Sequence, residues 1–262
     1  MAVSRVDESE TSAGGSGVAN LADLLVELAG LPDDASDLEG CLRLIARRVA
    51  DTVAGVDYAS VTSSRDGQAT TVAMSSDVAL EVDSSQYAAG GGPCLDALAG
   101  QPVAVEDIAA DMQWPDFRRT AIKLGLHMSL SIPMVTASGE TTSVLNLYSH
   151  DAGALVPLAM EVIPLFNTDI DRPRTRNWEE LLDPGGRLLV LGIQRAIAAH
   201  DAIQTAIGVL MTEERVDARQ AYLSLRMQSA AAGDAIPVVA KRIVASTSGE
   251  SPSEGSADRT QG

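Results

Sequence analysis

Seven positions recur at alternating spacings of four and three: Leu189, Ile193, Ala196, His200, Ile203, Ile207 and Leu210. All but His200 are apolar. This is the seam of a coiled coil sustained for about three heptads, so it predicts a long helix with a helical partner. Met211–Asp217 interrupts the pattern. A second helix is predicted over 218–231, with Ala221, Tyr222, Leu225 and Ser229 on one face. Gly233 ends it, as glycine commonly does just past a helix. A third, short helix is predicted over 237–244, with Pro237 in its first turn, where a missing N–H costs nothing.

The earlier stretch of the chain is patterned differently. Residues 20–30 predict a helix capped by Asn20 and ended by Gly30. Residues 36–54 predict another, with Ser36 and Glu39 as a capping box. Its apolar stripe includes Cys41, which therefore reads as core. The period then switches to two. Tyr58, Ser60 and Thr62 alternate with Ala59 and Val61, and Arg65-Asp-Gly67 signals a hairpin into a strand at Thr70–Ser75. Val78–Ala89 is mixed and predicts a helical turn. Gly90–Ala97 is a glycine-rich connector in which Pro93 opens a short helix, placing Cys94 in the first turn, where a dipole would stabilise a thiolate, although a buried structural cysteine is the preferred reading. A strand at Pro102–Ile108 and a helix from Trp114 to Leu124 follow. Strands at Ser129–Val135 and Thr142–Tyr148 flank a hairpin at Ser138–Glu140. The order predicts an α+β domain around an antiparallel sheet, with a pocket between sheet and helices. Pro164, Asp171–Arg176 and Asp183–Gly186 then break helical continuity.

Charge changes this picture. The 262 residues carry a net charge of −17, which opposes non-specific binding to nucleic acid. Residues 1–186 hold 11 Lys/Arg against 28 Asp/Glu, whereas residues 187–245 hold 7 against 5. The helical segment alone is not acidic. Aromatics are 3% of the chain, so no base-stacking platform is indicated. Two cysteines, Cys41 and Cys94, are too few for a disulfide framework or a four-ligand zinc site. His127, His150 and His200 show no metal-ligand spacing, and no metal site is expected. With no run of eighteen apolar residues and no leader pattern, the expectation is a cytoplasmic protein without a membrane partner.

Two resemblances follow from ordered motifs. Ala206-Ile-Gly-Val-Leu-Met211, Ala221-Tyr222, Leu225-Arg226, Val239-Ala240 and Ile243-Val244 resemble the ANTAR family. That resemblance implies a three-helix RNA-binding antitermination module that works as a dimer. Gly92-Pro-Cys-Leu-Asp-Ala97, Pro102-Val, Asp107–Asp111, Trp114-Pro, Leu124-Gly, Ser131-Ile-Pro133 and Leu145-Asn-Leu-Tyr-Ser149 resemble the GAF domain that precedes ANTAR in actinobacterial regulators. This second resemblance implies a small-molecule or redox sensor; it fixes no ligand or cofactor. The expected fold is thus an α+β GAF-like sensor followed by an all-α, three-helix ANTAR-like domain. The expected divisions are a disordered tail (1–17), the sensor (18–168), a Pro/Gly-rich linker (169–186), the helical domain (187–245) and a disordered C-terminal tail (246–262).

The expected function is a signal-responsive regulator that binds structured RNA, a nascent leader transcript, and acts by transcription antitermination. Candidate RNA contacts are Arg195, His200, Gln204, Arg219, Arg226, Lys241 and Arg242, since cations must reach phosphates and polar groups must reach loop bases. Leu189, Ile193, Ala196, Ile203, Ile207 and Leu210 are the expected homodimer seam, and Cys94 is the candidate ligand or redox position of the sensor. ANTAR relatives usually carry arginine where His200 stands and a basic cluster where Gly233-Asp-Ala235 stands. These departures support an alternative: a sensor and dimerisation protein whose helical domain binds protein. An enzyme is not expected. Some GAF-fold proteins reduce methionine sulfoxide with paired cysteines, but Cys41 lies on a core stripe and no third cysteine is present.

Overall fold

The computed structural model describes residues 20–32, 35–65, 67–137, 143–167 and 177–247. The two expected hairpin tips (Asp66 and 138–140), the 171–176 segment, and the tails at 1–17 and 248–262 lie outside the described residues. Five strands form one antiparallel sheet in the order β2-β1-β5-β4-β3. They are β1 (Tyr58–Arg65), β2 (Gln68–Met74), β3 (Val103–Val105), β4 (Met128–Met134) and β5 (Ser143–Ser149). Central β1 and β5 pair from Tyr58↔Tyr148 to Ser63↔Ser143, and a bulge at Val61/Thr62 shifts the β1–β2 register. The fold is an α+β domain followed by a helical region, as the pattern predicts.

The two sheet faces differ. Ala59, Val61, Leu130, Ile132, Leu145 and Leu147 point into the main core with α1 (Leu21–Gly30), α2 (Leu38–Thr52) and α6 (Val156–Phe166). The alternate positions Ser60, Thr62, Ser129, Ser131, Asn146 and Tyr148 face α3 (Asp77–Ala89) and α4 (Pro93–Ala97), and all are buried. Strands β4 and β5 are buried on both faces. A smaller core joins α3, β3 and α5 (Pro115–Lys123) around Phe117, Ile108 and Tyr148.

Several local expectations are corrected. The mixed 78–89 stretch is a full helix, because Ser76 caps it through Val78 N and Gly90, at φ 64°, ends it. Asp37, not Ser36, stands at the start of α2 and makes no side-chain cap; the Ser36 hydroxyl donates to Asp37 instead. The 102–108 strand shrinks to three residues. Pro164 sits inside α6 without ending it. Asp183-Pro-Gly-Gly186 does not break the chain into a linker; it starts a helix. The Asp183 carboxylate accepts from Gly185 N and Gly186 N, at 3.0 and 2.9 Å, and Pro184 is the first helical residue.

That helix, α7, runs Pro184–Glu214 without interruption, about 46 Å. It passes through the expected break at Met211 and stops only at Arg215, in the left-handed region at φ 56°. The expected homodimer seam is covered within this chain and is not left for a second copy. Leu189, Ile193 and Ala196 are buried in the main core with α1, and Gly192 allows a close approach: an added Cβ there would lie 2.8 Å from Ala22 Cα and 2.6 Å from Leu25 Cδ1. Ile203, Ile207 and Leu210 are buried in a second core with α8 (Ala218–Ala232) and α9 (Ile236–Thr247). The heptad pattern correctly calls for helical partners, and this chain's own helices supply them. One α7 thus serves both cores. Gly192→Ala is expected to lose about 1–3 kcal/mol by overpacking, more than the gain in helix propensity of about 1 kcal/mol. Urea unfolding of the two proteins measures the difference.

Candidate functional site

The face of the sheet under α3 and α4 carries a hydrogen-bonded cluster centred on Asp83. Tyr148 donates its hydroxyl to Asp83 Oδ1 at 2.6 Å, and Thr71 donates to Oδ2 at 2.8 Å. Two chains of donors converge there. Gln86 Nε2 donates to Tyr148 Oη at 3.3 Å. Asn146 Nδ2 donates to Thr62 Oγ1 (2.8 Å), and Thr62 and Thr71 each lie 2.8 Å from the Tyr87 hydroxyl. If Thr62 donates to Tyr87 and Tyr87 to Thr71, every hydroxyl proton is used and the chain ends at the carboxylate. Ser131 donates to Asn146 Oδ1 at 2.9 Å, which sets the amide's orientation.

Burial dominates the electrostatics. Asp83 is fully buried, and desolvation raises its pKa although Tyr148, Ser60 and Thr71 donate to it and oppose the rise. Loss of solvent also raises Tyr87 and Tyr148, with the Asp83 charge adding to it. Cys94, the candidate redox position, lies fully buried beside this cluster. Its N–H donates to Gln86 Oε1 at 3.0 Å, and its thiol is pushed far up, first by burial and then by Asp83. Of the two readings of Cys94, the buried position agrees with the structural one: α4 is one short turn, and burial near a carboxylate opposes a thiolate. Cys41 is raised to about 11 by burial, then by Glu27, and its thiol meets Leu24 O in the α1–α2 core. The two thiols belong to different layers. Gly92 packs closely on Gln86: an added Cβ there would lie 2.2 Å from Gln86 Oε1.

Asp83, Gln86, Tyr87 and Asn146 escape sequence reasoning. A period-two run of Ser, Thr and Asn does not say what covers it, and here α3 and α4 do.

The candidate RNA contacts fall into three groups. Arg219, Lys241 and Arg242 are exposed on α8 and α9. Arg226 lies over the Tyr222 ring, 5.9 Å from its centroid. Arg242 is paired with Asp234, Nη2 to Oδ2 at 2.5 Å, across the turn where α8 ends at Gly233. Arg195 is exposed too, but on the half of α7 that packs on α1, away from α8 and α9. His200 and Gln204 turn toward the sensor. His200 Nδ1 donates to Thr136 O at 3.2 Å, and Gln204 Nε2 donates to Ala137 O at 3.5 Å. The structure therefore does not bring all seven to one surface. Among the described residues no group of three His, Cys, Asp or Glu is arranged to hold a metal, and no helix is long and apolar enough to cross a membrane.

Comparison with known proteins follows the same succession of sheet and helices. The GAF domain family model matches residues 35–166, and the ANTAR domain family model matches residues 192–244. No curated protein matches the chain. Among solved structures, a type II free methionine-R-sulfoxide reductase from Thermoplasma acidophilum aligns at 12% identity and a TM-score of 0.36, covering 58% of this chain and 91% of its own. A domain of a putative two-component sensor histidine kinase protein from Sinorhizobium meliloti 1021 aligns at 12% identity and 0.37, covering 65% and 93%. Likenesses at this level carry no functional argument. The sheet with its helical layers and the long helix continuing into a three-helix unit coincide with the two matched families, and the chain belongs to the GAF domain family, with an ANTAR domain in its C-terminal region.

Proposed function

We propose that this protein is a sensor-regulated RNA-binding protein acting in transcription antitermination. GAF domains are sensors and ANTAR domains are RNA-binding antitermination regulators, and the observation that carries the reading is their succession along one chain. Arg219, Arg226 and Lys241 meet the phosphates, since they stand on α8 and α9 of the only segment that is not acidic. Arg242 contributes less while Asp234 neutralises it. The buried cluster around Asp83 is the sensing face. Its carboxyl is held by three donors from β1, β2 and β5, so a change in its protonation or partners reaches the sheet directly.

A second reading has its own support. Leu223 and Met227 are exposed and line an open groove of about 590 Å³ on α8 with Glu214, Gln220 and Gln228. Such a surface suits a protein partner better than phosphate, and fits a helical domain that has turned from RNA to protein.

Filter binding with a two-hairpin RNA at several salt concentrations separates the two. RNA recognition predicts affinity falling steeply with salt, and Lys241→Ala or Arg219→Ala lowering the log–log slope by about one each. Asp234→Ala, by freeing Arg242, is expected to tighten binding about threefold. A salt-independent signal, or none, favours the protein-binding reading.

Asp83 gives a separate test. Its folded pKa lies above its unfolded value, so its protonated form favours the fold. That stability is fully present below the unfolded pKa, about 4, and is lost as pH rises through the folded pKa. Asp83→Asn removes this loss. Melting temperatures from pH 4 to 8 are expected to show the variant gaining on the natural protein as pH rises; parallel curves would refute the assignment.

A further inference from the structure

Beyond the docking of α7 on α1, sensor and helical module meet at a compact joint that neither family assignment explains. Ala137 follows β4 in the sensor, yet it is fully buried in the core of the helical module with Ile203, Ala206 and Leu225. Its N–H donates to Leu31 O at 3.2 Å, which ties the turn after β4 to the end of α1. Its carbonyl and that of Thr136 accept from Gln204 and His200 on α7. On the other side of α1's end, Gly30 leaves room for α9: an added Cβ would stand 3.0 Å from Pro237 Cδ. The sensor therefore grips both α7 and α9, and α9's Val239 and Ala240 share the core that Ala137 completes.

We propose that the turn at Thr136–Ala137 is a restraining contact, by which the sensor domain holds the helical module and keeps His200 and Gln204 covered. The consequence for RNA rests on the function proposed above. The contact suits a reversible restraint: the hydrogen bonds that His200 and Gln204 donate to it, at 3.2 and 3.5 Å, are long. Its position also suits a signal. Strand β4 carries Ser129 and Ser131 on the polar sensing face, and the same strand leads into the turn, with Ser131 and Thr136 about 17 Å apart along extended chain. The buried Ser129 hydroxyl has no hydrogen-bond partner among the described residues. This strand thus holds a polar group that a rearranged cluster can engage.

The test uses the full chain with Ala137→Gln, which puts an amide where the core has a methyl. Ala137→Gly, which only removes the methyl, serves if the first variant does not fold. Two readouts are needed. Amide hydrogen exchange over residues 203–210 and 236–244 reports the restraint; affinity for a two-hairpin RNA reports the covering. Exchange in those segments is expected to quicken about tenfold, and RNA affinity to rise about tenfold. Unchanged exchange in both variants overturns the proposal, whatever the RNA result. Quicker exchange with unchanged or weaker affinity, in a protein that does bind RNA, overturns the covering of His200 and Gln204. Quicker exchange with no RNA binding by natural or variant protein upholds the restraint and instead refutes the RNA-binding function.

Discussion

The structure depends on the close approach of α7 to α1. At Gly192 there is no room for a Cβ between the two helices, and the first half of α7 closes the main core over the sheet only through that approach. Gly185 has the same role near the helix start, where a Cβ would meet the Thr52 carbonyl at the end of α2. The second half of α7, continuous with the first, supplies Ile203, Ala206, Ile207 and Leu210 to the helical core. A helix of 31 residues is a stiff rod, so the depth at which its first half docks sets where its second half stands. Two domains that share such a rod do not move independently.

The sheet is the other organising layer, and its two faces do different work. One is apolar and anchors α1, α2, α6 and α7. The other is polar but equally dry, and it confines a carboxylate among hydroxyls and amides. A buried polar cluster is stable only when its members satisfy one another, and the Asp83 network nearly does. Burial raises the carboxyl's pKa while three donors hold it back. A centre balanced in this way responds to small changes in partner or protonation, whereas the apolar face does not.

Much of this is legible in the sequence, for identifiable reasons. Strict periodicity marks α1, α2, α7 and α8. What escapes has two causes. The first is that periodicity states which face is buried but not who buries it. Leu189 to Leu210 therefore read as a dimer seam, although α1, α8 and α9 of the same chain cover it. The same ambiguity leaves the partners of Ser60, Thr62 and Asn146 unread. The second cause is local. Pro184, Gly185 and Gly186 are breakers inside a helix but favourable at its start, and only the Asp183 cap distinguishes the two cases. Of the expected RNA contacts, Arg219, Lys241 and Arg242 remain on exposed helix surface, and His200 and Gln204 do not, because the turn after β4 occupies their side of α7.

The central claim is that one continuous helix makes the sensor and the helical module a single cooperative unit. Differential scanning calorimetry of the full chain tests it most directly. A single transition, with calorimetric and van't Hoff enthalpies equal, is the predicted result. Two transitions, the smaller one removed by a proline at Ala206 inside the helical core while the larger one stays unchanged, would show that the two halves of α7 fold separately and would contradict the account.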